Sequence, residues 1–208
     1  MMLMINFENY LEELKGFAKS QLKPVPILQD DAAEFLRKLV LESKPKNILE
    51  IGTAIGYSGS IILHAAQSCE SDTTPTLTTI EKREDRAALA MENFKKAGFS
   101  KNAHVICGDA REILPILCSE NKKYDFIFLD GPKAQYACYF EHIRYLMPLG
   151  GLLVADNVMV GFSGIVNARN RPLIRKRQEF IDAITLNPQY TTTIHNIADN
   201  ISVTKKIL

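Results

Sequence analysis

The chain has 208 residues, 46% hydrophobic and 24% charged, enough apolar content for one domain with a sizeable core. Its 25 basic and 24 acidic residues leave a net charge of +1, so no whole-molecule field draws it to nucleic acid or membrane. Any polyanion contact has to come from a local patch. No apolar run reaches the roughly 20 residues that span a bilayer, and Met1-Met2-Leu3-Met4-Ile5 lacks the charged start of a signal peptide. Cys69, Cys107, Cys118 and Cys138 form no Cys-x-x-Cys pair and read as reduced thiols of a cytoplasmic protein.

In chain order, Phe7, Tyr10, Leu11, Leu14, Phe17 and Ala18 recur at helical spacing, which predicts an amphipathic helix over 5–19. Pro24 and Pro26 interrupt it. A second helix follows, with Ala32, Phe35, Leu36, Leu39 and Val40 on one face and Asp30 or Asp31 near its cap. Pro45 closes this helical extension, residues 1–45 of a single domain over 1–208. Beyond it, strands and helices alternate. The strands are 48–51, 77–80, 103–107, 124–129 and 152–155; the helices between them are 57–66, 84–97, 110–118 and 135–147. In the helix at 84–97, Ala87, Met91 and Phe94 are expected inward, and Gly98 is expected to cap its C-terminus. Cys107 is expected to behave as a small buried apolar residue. Continuous apolar strands joined by helical crossovers indicate a parallel sheet covered on both faces. A helix at 172–186 then precedes strands at 190–195 and 200–205, whose short connection suggests an antiparallel hairpin at one sheet edge.

The segment Glu50-Ile51-Gly52-Thr53-Ala54-Ile55-Gly56-Tyr57-Ser58 ends a buried strand, turns on two glycines and enters a helix. Glycine lets the backbone approach a ligand closely, and the helix start presents unpaired N–H groups to the same place. This is a nucleotide-type site, although Glu-x-Gly-x-x-x-Gly departs from the dinucleotide fingerprint. In an open parallel sheet, ligands bind beyond the carboxyl ends of the strands. Those ends carry Glu50, Glu81, Asp109, Asp130 and Asp156-Asn157. Glu81 suits the two hydroxyls of a ribose. Asp109 suits an adenine amino group or, equally, a helix N-cap.

With Thr79-Ile80-Glu81, Gly108-Asp109-Ala110, Phe128-Leu129-Asp130-Gly131-Pro132-Lys133 and Asp156-Asn157-Val158, the chain resembles the cation-dependent O-methyltransferases of the class I methyltransferase fold. That family includes catechol and caffeoyl-CoA O-methyltransferases and the bacterial tRNA 5-hydroxyuridine methyltransferase, to which this chain looks most similar. The resemblance implies an α/β Rossmann-like sandwich whose mostly parallel seven-stranded sheet has the order 3-2-1-4-5-7-6. It implies S-adenosylmethionine bordered by Glu50 and Gly52, Ser58 at its carboxylate, Glu81 on its ribose, Asp109 and Ala110 at its adenine, and Leu28 over its methionine end. Asp130 belongs to the same cofactor lining. It further implies a divalent ion on Asp130, Asp156 and Asn157, with Lys133 near the reacting hydroxyl, and a homodimer through the N-terminal helices.

The chemistry of these residues agrees with that set. Two carboxylates and an amide oxygen are hard ligands that suit Mg²⁺ or Ca²⁺ better than zinc. Three protein ligands leave about half an octahedron for water and substrate. A hydroxyl beside a second oxygen could chelate there, and a lysine close to a dication shifts toward its neutral, proton-accepting form.

Between 169 and 177 stand Arg169, Arg171, Arg175, Lys176 and Arg177 with no acid, after a glycine-containing stretch at 161–164. Such a segment beside a methyl-transfer site suits RNA phosphates, while an ordinary solvated helix start has the same composition. A tRNA wobble hydroxyuridine and a small catechol-like or hydroxycinnamoyl-type molecule both offer the required oxygen pair. The favoured reading at this level is methylation of tRNA hydroxyuridine, with the small aromatic as the alternative. A non-catalytic nucleotide- or RNA-binding module would need neither Lys133 nor the metal set. A dehydrogenase is disfavoured by the glycine spacing and the terminal hairpin. His64, His104, His142 and His195 show no metal-pair spacing.

Overall fold

The structure, a computed structural model, describes residues 6–158 and 171–208. The stretch at 161–164 and Arg169 lie outside the described residues, as does the side chain of Arg171.

Helices α1 (Phe7–Ser20) and α2 (Asp30–Ser43) precede the first strand, β1 (Asn47–Ile51). There follow α3 (Tyr57–Gln67), β2 (Thr76–Glu81), α4 (Glu84–Lys96), β3 (Ala103–Cys107), α5 (Ala110–Ser119) and β4 (Phe126–Leu129). A 3₁₀ turn at Lys133–Gln135 leads into α6 (Tyr136–Leu146), β5 (Leu152–Ala155), α7 (Arg171–Thr185), β6 (Tyr190–His195) and β7 (Ile201–Lys206). The sheet has seven strands in the order β3-β2-β1-β4-β5-β7-β6. β1 pairs in parallel with β2 and with β4, whereas β7 runs antiparallel to β5 and β6. The expected architecture is therefore the observed one, including the terminal hairpin.

Strand periodicity explains the two-sided core. Ile48, Phe126 and Phe128 face one apolar cluster with α1, α2 and α3, while Leu49, Ile51, Ile127 and Leu129 face another with α5, α6 and α7. Each of these fully buried side chains contributes about 1.5–3 kcal/mol over an exposed one. The extension is tied to the first cluster by Tyr10, whose hydroxyl donates to the Asn93 carbonyl at 3.0 Å.

Several local expectations shift. Met91 is 52% exposed, because α4 turns Ala87, Ala90 and Phe94 inward instead. Phe17 is also exposed, at the rim of α1. Cys107 is exposed, because β3 is the edge strand and Cys107 its last residue. β4 begins at Phe126 rather than 124; the Asp125 carboxylate accepts the Lys46 and Asn47 N–H groups and pins the strand's approach. Among the described residues, no helix is long and apolar enough to cross a membrane.

The order reverses between β1 and β4, which places a crevice at their carboxyl ends. Gly52 sits in it with φ +105°, and a Cβ there would lie 2.3 Å from the Asp130 carbonyl oxygen. Gly52→Ala should therefore destabilise the protein by about 2–4 kcal/mol, since left-handed strain and overpacking add. Denaturant midpoints check this; an unchanged midpoint would contradict the close approach.

Candidate active site

A cavity of about 800 Å³ opens beyond the strand ends. Its wall includes Leu28, Gly52, Ala54, Glu81, Asp109 and Ala110, together with Asp130, Lys133, Asp156, Asn157 and Asp199. The sequence points to most of these, but not to Ala54 or Asp199.

The glycine turn is held by its neighbours. Ala54 takes a left-handed conformation, φ 47°, that side-chain-bearing residues avoid, and its N–H donates to Glu81 Oε2 at 2.8 Å. Glu81 Oε1 accepts the Arg83 N–H at 2.9 Å. A carboxylate has about four acceptor positions, so Glu81 keeps two for a ligand's hydroxyls. Asp109 is the N-cap of α5, and its oxygens accept from the Arg111 backbone, the Arg111 guanidinium and Lys82. These bonds, the Arg111 guanidinium's foremost, hold its carboxyl well below the usual range. Capping and cavity lining thus coexist at Asp109, with little acceptor capacity left over.

Glu50 and Ser58 stand elsewhere. Period-two alternation puts Glu50 on the Ile48 face of β1, beneath α3, so it is fully buried and off the cavity wall. Its Oε1 accepts from Ser58 and its Oε2 from Thr79, both at 2.6 Å. Thr79 spends its only proton on Glu50, so at their 2.5 Å contact Thr53 must donate to Thr79. The chain of hydroxyls fastens the turn from behind. Burial pushes the Glu50 carboxyl up to about 7, against the opposing pull of the two hydroxyls.

Lys133 organises the opposite group. Its Nζ donates to Asp130 Oδ1 at 2.7 Å and to the Tyr136 hydroxyl at 2.9 Å, and lies 3.6 Å from Asp156 Oδ2. The Tyr136 hydroxyl in turn shares its one proton between the Leu129 and Asp156 carbonyls, at 3.0 and 3.1 Å. Burial, then the neighbouring Asp130 carboxylate, pushes the Asp156 carboxyl up to about 6. Asn157 adopts φ 58°, which asparagine tolerates. Its Nδ2 donates to Asp199 Oδ2 at 3.2 Å, while its Oδ1 is buried and has no hydrogen-bond partner among the described residues. An orphaned buried acceptor costs about 1–3 kcal/mol and calls for a ligand. Among the described residues, no cluster of three or more His, Cys, Asp or Glu side chains is arranged to hold a metal ion. Two carboxylates and this amide oxygen do fit a hard cation.

A family model described as O-methyltransferase matches residues 4–207. The chain belongs to that O-methyltransferase family. Catechol O-methyltransferase of Niastella koreensis is 28% identical over 199 residues, covering 90% of this chain and 88% of the relative. Caffeoyl-CoA O-methyltransferase of Stellaria longipes is 30% identical over 155 residues, covering 73% and 62%. The structure of an O-methyltransferase from Bacillus cereus in complex with SAH superposes with a TM-score of 0.85 at 26% identity, covering 99% of this chain and 93% of that one.

In this O-methyltransferase the histidines stay outside the cavity wall; His64, for one, stacks on Phe7 at 3.7 Å. Of the basic run, Arg175 and Lys176 are exposed on α7, and Arg177 is half-buried. Phe180 of α7 packs edge-on against Tyr136, with ring centroids 5.3 Å apart.

The buried Glu50 generates a pH prediction. Its carboxyl is raised from 4.5 to about 7 on folding, so the folded protein binds the proton more tightly and this group's contribution to stability falls as pH rises through that window. Relative to Glu50→Gln, the wild type should lose roughly 3 kcal/mol across it. Unfolding titrations of both proteins over that range check this, and a constant difference would contradict it.

Proposed function

We propose that the protein moves the methyl group of S-adenosylmethionine to a hydroxyl lying beside a second oxygen, with a divalent cation on Asp130, Asp156 and Asn157. The observation that carries this reading is the buried carboxamide oxygen of Asn157, without a hydrogen-bond partner among the described residues, in a wall residue that stands with Asp130, Asp156, Gly52 and Glu81 around one cavity. The likeness to a chain with SAH bound supports the choice of methyl donor.

In this reading Gly52 gives the donor close backbone approach, Glu81 takes its ribose hydroxyls, and Leu28, Asp109 and Ala110 line its remainder. When bound, the cation would lower the acceptor hydroxyl's pKa and stabilise the charge that develops there. With the cation bound, Lys133 would be the group placed to take the hydroxyl proton on Nζ. The acceptor oxygen forms its bond to the methyl carbon as the carbon–sulfur bond breaks, and the sulfonium leaves as a neutral thioether. Tyr136 and Asp130 keep Nζ oriented, so positioning supplies most of the catalysis.

Two acceptor classes carry the oxygen pair. A catechol-like or hydroxycinnamoyl-type aromatic follows from the names of the relatives. The wobble 5-hydroxyuridine of tRNA is the second, and one observation favours it: α7, carrying Arg175 and Lys176, packs against the 3₁₀ turn that holds Lys133. Among the described residues Arg175 is paired with Glu179 at 3.4 Å, an exposed contact that phosphate could displace.

The test is a methyl-transfer assay with Mg²⁺ on hydroxyuridine-containing tRNA and on a catechol, read by mass spectrometry. EDTA should abolish transfer and Mg²⁺ restore it; indifference to chelation overturns the metal assignment. Lys133→Met should lower kcat by about 10²-fold or more without changing donor affinity. If tRNA is the acceptor, replacing Arg175 and Lys176 with Ala should weaken binding and reduce its salt slope by about 1 for each phosphate no longer neutralised. Unchanged tRNA binding and methylation in that variant would overturn the role of these two residues, and no transfer to tRNA by the wild type would leave the small aromatic as the acceptor.

A further inference from the structure

Asn157 can present either end of its amide to the cavity, because the terminal torsion of asparagine is roughly two-fold. In the observed orientation Nδ2 turns to Asp199 and Oδ1 is left without a hydrogen-bond partner among the described residues, available to a cation. The opposite one would offer an NH₂ group, a donor that repels a cation. A neighbouring group has to choose.

The choice is made far downstream. Asp199 stands in the turn between β6 and β7, and its Oδ2 accepts from Asn157 Nδ2 at 3.2 Å. An ionised carboxylate only accepts, so a flipped amide would set two acceptors against each other. The turn itself is fastened on both sides. The Val158 N–H donates to the Asn200 carbonyl at 3.0 Å, and the Ala198 N–H donates to Asp31 Oδ2 at 3.1 Å. Gln29 Nε2 reaches the same Asp199 oxygen at 3.5 Å. Ala198 and Asn200, flanking Asp199, both hold left-handed backbone, φ 48° and 68°. The carboxylate thus belongs to a braced turn rather than to a free loop.

We infer that Asp199 is a positioning residue that holds the NH₂ end of the Asn157 amide and so keeps its oxygen unpartnered, preparing that oxygen to bind a divalent cation. This rests on the metal reading above and adds the residue that prepares one of its ligands. Partners that orient metal ligands typically contribute about 10–100-fold in metal affinity.

The experiment titrates the full-length protein with Mn²⁺ alone, following the free ion by electron paramagnetic resonance, and measures S-adenosylmethionine affinity by calorimetry. Asp199→Ala should weaken Mn²⁺ binding by about 10-fold or more and leave donor affinity unchanged. Asp199→Asn keeps an accepting oxygen but loses the charge, so it should restore Mn²⁺ affinity to within about threefold of wild type. Unchanged Mn²⁺ affinity in Asp199→Ala overturns the inference. Asp199→Asn binding as weakly as Asp199→Ala would assign the effect to charge and also overturn it, as would a parallel loss of donor affinity. A wild-type protein that does not bind Mn²⁺ would instead overturn the metal reading itself.

Discussion

The close approach of Gly52 to the Asp130 carbonyl joins the ends of two neighbouring parallel strands at the point where the sheet order reverses. A Cβ cannot fit there, and the left-handed backbone at Gly52 lets the chain turn away from β1 toward α3. The next strained residue, Ala54, persists because Glu81 from β2 holds its N–H. Left-handed strain of this kind costs about 1–2 kcal/mol, which a hydrogen bond to a carboxylate, about 1.5–3 kcal/mol, can offset. Three strand ends therefore meet through one turn. The donor side of the cavity and the carboxylate side share a wall because of it.

Acids do two unlike jobs around that turn. Glu50 is withdrawn into the core and answered by hydroxyls, so it acts on the backbone behind the cavity. Asp130 and Asp156 remain partly open and are bridged by the Nζ of Lys133. Burial raises Glu50, whereas burial and mutual repulsion raise Asp156. Proximity in the chain to a glycine motif says nothing about which job an acid has. The face of the strand decides it.

That distinction marks how far the sequence could be read. The parallel strands were legible because each is a short uninterrupted apolar run, and the terminal hairpin because a short polar turn separates two alternating segments. Residues at strand ends, Glu81, Asp109, Asp130, Asp156 and Asn157, were legible because topology delivers strand ends to one crevice. The direction of Glu50 was not legible, because it stands one residue short of the end of β1 and its side chain turns to the core under α3. Met91 misled because α4 buries two alanines, whose small side chains weaken the periodic signal. Asp199 had no signal at all: its partner is 42 residues away, and a turn aspartate is ordinary composition.

Tyr136 has a mechanical consequence. One phenolic hydroxyl links the Lys133 amine to the carbonyls of Leu129 and Asp156, so the ends of β4 and β5 share a single rivet. The ring behind it is rigid and fully buried, and Phe180 of α7 presses on it edge-on. The helix carrying the exposed Arg175 and Lys176 thus rests on the same ring whose hydroxyl holds the lysine. One buried side chain sets the distance between that helix and Nζ.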